Sequence, residues 1–149
     1  MVIIDFINVG YGDAILIRDE AAHFQMLVDC GDLTLGEVGC DSARISAANY
    51  LRQEGVKRLD LLVISHLHKD HCGGLLDLVE QVEVGELWVN YLAPRRHWGC
   101  TFPISDHYPK RARSLLTSLN VFLPALAIME RRGTHMRMLD RTQERGFLS

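Results

Sequence analysis

The chain has 149 residues, 48% of them apolar and 23% charged, which fits one globular domain and excludes a disordered or low-complexity chain. The net charge of −3 is lopsided: residues 1–94 hold 6 Lys/Arg against 15 Asp/Glu, and residues 95–149 hold 10 against 4. The longest apolar run near the end, Val121 to Met129, is interrupted by Pro124, so no membrane span is expected.

The opening "MVIIDFINV" is strand-like from the start. It has no basic region and no small-residue cleavage site, so no signal peptide is expected. "GYGD" (10–13) predicts a tight turn whose glycines can take positive φ. "AILIRD" predicts a second strand, "EAAH" a hairpin connection and "FQMLVDC" a third strand, together an antiparallel meander. "GDLTLGEVGCDS" (31–42) reads as a glycine-rich loop in which Asp41 or Ser42 can cap the next helix. That helix lies within "ARISAANYLRQEG", with Ile45, Ala48 and Leu51 or Arg52 at helical spacing and Gly55 as its C-cap.

"VKRLDLLVIS" is a nearly continuous apolar strand, as expected of one buried on both faces. A short helix over "GGLLDLVEQV" and a strand over "GELWVNYL" follow, so part of the sheet should be parallel. Residues 93–109 form a long loop with three prolines. A helical region over "KRARSLLTSLNVFLPALAIMERRG" should break or kink at Pro124, which lacks an amide donor. "THMRML" is a candidate last strand, and the tail "DRTQERGFLS" has no clear pattern. The fold class is mixed α/β, and 1–149 reads as a single domain.

The chemistry concentrates in "ISHLHKDHCGGL" (64–75), at the end of the apolar strand. His66, His68, Asp70 and His71 are four possible metal ligands. Extended side chains alternate faces, so His66 and His68 can point into one site while Asp70 and His71 lie on a turn toward a second. Imidazole suits zinc, and carboxylate suits zinc, manganese or iron. Gly73 and Gly74 allow a sharp turn into the helix, and open α/β sheets bind ligands at such strand ends. Isolated histidines are usually surface or satisfied core residues, but four possible ligands in one loop outweigh that reading. Leu67 and Lys69 look incidental, and Cys72 reads as a packing thiol. The four cysteines form no CxxC pair, so free thiols and a cytoplasmic location are expected.

His66-Leu67-His68-Lys69-Asp70-His71-Cys72-Gly73-Gly74 resembles the HxHxDHxGG signature of the metallo-β-lactamase superfamily. Val9-Gly10-Tyr11-Gly12-Asp13-Ala14 and Val28-Asp29-Cys30-Gly31 resemble the opening of the domain found at the C-terminus of ComEC-type DNA-uptake proteins. The resemblance covers roughly residues 2 to 90. It implies an αββα sandwich with its site at one edge, and hydrolysis by a metal-bound hydroxide. Carried onto this chain, it implies His66 and His68 on a first metal, and Asp70 and His71 on a second. Asp70 would also be catalytic, orienting the nucleophile or shuttling its proton. Asp29 would sit behind the ligands and orient a histidine, or else serve as a strand-end turn residue. Asp13 reads as a turn residue. The cofactor implied is zinc, two ions in a completed site, with manganese or iron as alternatives.

The family supplies further ligands that this chain lacks in recognisable form. His135 reads better as part of an ordinary strand. His97 and His107 lie in a loop that could open beside the site, and Arg95 and Arg96 could meet a phosphate. The expectation is therefore the N-terminal half to two-thirds of the sandwich. Its exposed sheet face would be covered by self-association or by a second chain.

The leading functional expectation is a metal-dependent hydrolase of a phosphodiester, with nucleic acid as a candidate partner. The basic C-terminal third could face such a substrate, or it could be a set of solvated helix faces. The alternatives are a catalytically incomplete metal-binding or assembly module, and a hydrolase of a small thioester or lactone.

Overall fold

The computed structural model describes residues 1–32 and 43–139. Six strands form one sheet in chain order: β1 (Val2–Phe6), β2 (Ile15–Asp19), β3 (Phe24–Val28), β4 (Arg58–Ile64), β5 (Glu83–Val89) and β6 (His135–Met138). The first three strands are the expected antiparallel meander, and β3 to β6 run parallel. Helices α1 (Ala47–Gln53), α3 (Leu75–Gln81) and α4 (Lys110–Arg131) lie in the three parallel crossovers, and a single turn, α2 (Lys69–Cys72), precedes α3. Parallel crossovers are right-handed, and this strand order never reverses, so the three helices fall on one face of the sheet. They accordingly touch one another: α3 packs on α1 and α4, and α2 on α4.

A row of leucines marks the core. Leu16 pairs with Leu27, Leu27 with Leu62 and Leu62 with Leu87, and all four are fully buried. Leu51 of α1, Leu75 and Leu78 of α3, and Phe122 and Leu126 of α4 close over them in one cluster. Each such side chain stabilises the fold by roughly 1.5–3 kcal/mol. The opposite sheet face is also apolar but partly open. Val2, Ile4 and Phe6 of edge strand β1 are 58%, 53% and 78% exposed. Ile4 continues the row Ile17, Met26 and Leu61, and Phe6 the row Ile15, Val28, Val63 and Trp88.

Several expected boundaries move. β1 stops at Phe6, short of Val9, and β3 stops at Val28, because Asp29 takes a positive φ of 58° and turns the chain out of the sheet. Ser46 caps α1 by accepting from the Asn49 amide at 3.2 Å; Asp41 and Ser42 lie outside the described residues. The helix expected over 73–82 is α3, which starts at Leu75, and the extra turn α2 lies before Gly73 and Gly74. Asp70 and His71 therefore sit in a helical turn and not in an open one.

Pro124 does not break α4, which runs through it from Lys110 to Arg131. An interior proline costs about 3 kcal/mol. Val121, Phe122 and Leu123 before it, and Ala125, Leu126 and Met129 after it, are all buried, and that burial outweighs the cost. By length and composition alone α4 would also suffice to cross a membrane, as a buried core helix can. Here its apolar side packs against α2 and α3 in the core.

Candidate metal centre

Three segments meet at the C-terminal ends of β3 and β4: the turn 10–13, residues 29–32 and residues 65–74. Backbone hydrogen bonds knit them together. Cys30 N donates to His71 O at 2.8 Å, Gly74 N to Gly31 O at 3.1 Å, and Gly31 N to Asp13 O at 2.9 Å. Gly12, at φ 85°, lies so close to the ligand segment that a Cβ there would stand 1.4 Å from the Asp70 carbonyl oxygen. A Cβ at Gly74 would stand 2.5 Å from Cys30 O. These glycines permit close approach of backbones, beyond the turns expected of them.

Asp29 is the buried polar centre of this corner, 3% exposed. Its Oδ1 accepts from Ser65 N at 2.8 Å, and its Oδ2 accepts from Ser65 Oγ at 2.6 Å. The same Oδ2 lies 2.9 Å from His71 Nδ1. A buried carboxylate requires such partners. His71 Nε2, on the far side of the ring, is 3.5 Å from Asp70 Oδ2. Asp13 Oδ2 lies 3.8 Å from His71 Nδ1, so the turn residue also faces the corner.

The three imidazoles pack together. The His66 and His71 ring centroids are 4.0 Å apart, tilted by 44°. His66 and His68 meet edge to face at 4.7 Å. The donor set is chemically right for zinc: three imidazoles, the Asp70 carboxylate beside them, and a carboxylate behind His71. As placed, the rings face one another, and among the described residues no three His, Cys, Asp or Glu side chains converge as a metal-holding group. The corner gathers the donors without aiming them at one point.

Two residues here were not singled out from the sequence. Ser65 has only its place directly before His66 as a signal. Asp32 is buried and pairs with Lys69, whose Nζ is 3.2 Å from Asp32 Oδ2. Lys69 thus has an ion-pair partner in the neighbouring segment. Cys72 is fully buried, and burial pushes its thiol up to about 12, so it packs as expected. Burial likewise raises the neighbouring Cys30 thiol, with Asp29 adding to the effect.

The later histidines do not join. His97 sits on a 3-10 turn (Arg95–His97) and accepts from Arg96 Nε at 3.2 Å. His107 is in the following loop, and His135 opens β6 opposite Glu86. Some of the basic residues of this part have partners within the chain. Arg95 is 3.3 Å from Glu130 and lies over the Trp98 ring, and Arg137 is 2.6 Å from Glu86. Arg113 pairs with Asp106 at 3.6 Å, and Arg132 reaches the Val79 and Glu80 carbonyls.

The family model of the metallo-beta-lactamase superfamily matches residues 7–98, more than half of the chain. No curated protein matches it.

Proposed function

Because the chain belongs to the metallo-β-lactamase superfamily, whose α/β sandwich its mixed sheet fits, we propose that it is a metal-dependent hydrolase centred on His66, His68, Asp70 and His71. The observation that carries this reading is the Asp29–His71 contact of 2.9 Å beside the His66 ring, which packs on both His68 and His71. Zinc is the metal of choice for these donors, two ions in a completed site, with manganese or iron as alternatives. A bound metal would supply a water of lowered pKa as nucleophile at neutral pH.

The chain's own residues do the rest. Asp29 accepts the Nδ1 proton of His71 and so leaves Nε2 as the ring's free acceptor. Asp70, with its side chain 44% exposed, keeps a carboxylate oxygen beside that Nε2 and open to solvent. There it can bind a ligand or accept and return a proton.

The substrate class proposed is a phosphodiester, nucleic acid included. Its support is the ComEC-like opening at Val9–Ala14 and Val28–Gly31; the arginine pairing described above weakens the case from basic charge. A thioester or lactone hydrolase is the alternative within the same chemistry. A non-catalytic metal-binding or assembly module is favoured by one observation, the unconverged donors among the described residues. Self-association, or a second chain, would cover the open face around Ile4 and Phe6 and supply further ligands. A cytoplasmic site suits the free thiols Cys30, Cys72 and Cys100.

The test is metal content and solution mass of chelator-free protein, followed by turnover of a chromogenic phosphodiester. About two metals per chain with turnover is expected of the hydrolase. A single loosely held metal and no turnover would leave the module reading.

A further inference from the structure

Ser65 stands between the buried Asp29 carboxylate and the first histidine of the cluster. Its hydroxyl oxygen is 2.6 Å from Asp29 Oδ2 and 2.9 Å from His66 Nδ1. The direction of both bonds follows from the number of protons. A carboxylate only accepts, and a hydroxyl carries one proton. Ser65 donates that proton to Asp29 and has only lone pairs to offer His66. The 2.9 Å contact is therefore donated by His66 Nδ1. In a neutral imidazole this leaves Nε2 as the acceptor.

His71 is set by the same carboxylate directly, through Nδ1 at 2.9 Å. Asp29 Oδ1, occupied by the Ser65 amide at 2.8 Å, locks the serine in register beneath both rings. One buried carboxylate thus governs two imidazoles, one by contact and one through a hydroxyl. Their ring centroids are 4.0 Å apart, so the two Nε2 acceptors belong to neighbouring rings.

We propose that Ser65 is a positioning residue: its hydroxyl relays the Asp29 carboxylate to His66 and holds that ring with Nδ1 protonated and Nε2 free for a metal. The purpose of the relay rests on the metal-centre reading above; the relay itself does not. A serine that merely finished β4 would influence stability without influencing the proton position on His66.

Ser65 is exposed, so loss of its hydroxyl opens no buried cavity, and threonine keeps the hydroxyl. The experiment compares full-length wild type with Ser65→Ala and Ser65→Thr. Long-range nitrogen-15 NMR spectra of metal-free protein, at a pH where the rings are neutral, report which nitrogen of each imidazole carries the proton. Chelator competition with zinc reports affinity. In wild type, His66 and His71 are both expected to be protonated on Nδ1. Ser65→Ala is expected to release His66 toward the Nε2-protonated form, leave His71 unchanged, and weaken zinc about 10–100-fold. Ser65→Thr is expected to restore both readouts. A His66 ring protonated on Nε2 in wild type, or unaltered by Ser65→Ala, would overturn the relay. If the tautomers follow the serine but wild type holds no zinc, the relay stands and the metal reading fails.

Discussion

His66, His68 and His71 stand ring against ring at the end of β4, whereas His97, His107 and His135 lie on a 3-10 turn, a loop and an edge strand. None of the second three meets another imidazole among the described residues. The difference lies in what stands behind each ring. The first three project from a segment pinned by Asp29, Gly12 and the Cys30–His71 backbone bond. Among the described residues, His97 meets its neighbour Arg96, and His135 stands opposite Glu86 in the β5–β6 pairing. Histidines become a candidate site when buried backbone and a buried carboxylate hold their segment still.

The comparison can be broken most forcefully at Gly12. In Gly12→Ala the new methyl meets the Asp70 carbonyl at 1.4 Å, on a backbone at φ 85°. The two segments must separate, at a cost of about 3 kcal/mol or more. Urea unfolding should show that loss, and zinc binding should fall with it. Unchanged stability would mean that the turn does not brace the ligand segment.

Asp29→Ala comes next. It leaves the Ser65 amide, the Ser65 hydroxyl and His71 Nδ1 without their acceptor, an expected loss of about 3 kcal/mol. Asn in its place suits the positive φ better, so Asp29→Asn should recover part of the stability but not the zinc affinity. Equal recovery of both would argue against the charge of Asp29 mattering.

Single alanine substitutions at His66, His68 and His71 should weaken zinc by more than about 10-fold, with little change in stability at His66 and His68. The same substitutions at His97, His107 and His135 should alter neither. Isothermal titration of all six variants measures the contrast, and a loss at His97, His107 or His135 would assign a ligand from outside the cluster.

The smallest effect lies beneath the site. Burial raises the Cys72 thiol from 9.0 to about 12, and Cys30 well above 9.0. The folded chain keeps protons that the unfolded chain loses. The stability contributed is therefore complete below pH 9 and declines as pH rises toward 12. Cys72→Ala should flatten that decline in urea midpoints measured across the window. At neutral pH a thiol reagent should reach Cys100 well before Cys30 or Cys72.

The meander and the strand–helix alternation were legible in the residues, because period-2 and period-3.6 apolar patterns survive tertiary packing. Boundaries were less so. Asp29 ends β3 by a positive φ that no local pattern announces, and α4 passes through Pro124 because the core on both sides of it outweighs one lost amide bond. In the site, the dense HxHxDH run marked itself, while Ser65 and Asp32 did not. A lone serine or aspartate acquires a role only from what the fold sets opposite it, here Asp29 and His66 for the one and Lys69 for the other.

By itself the sequence determined which elements form and which segment carries the ligand chemistry, since both are written in short-range spacing. Only the tertiary structure decided that Asp29, Gly12 and Ser65 converge on that segment. Asp29 and Ser65 are 36 positions apart in the chain, and only the parallel pairing of β3 with β4 brings their atoms within hydrogen-bonding distance.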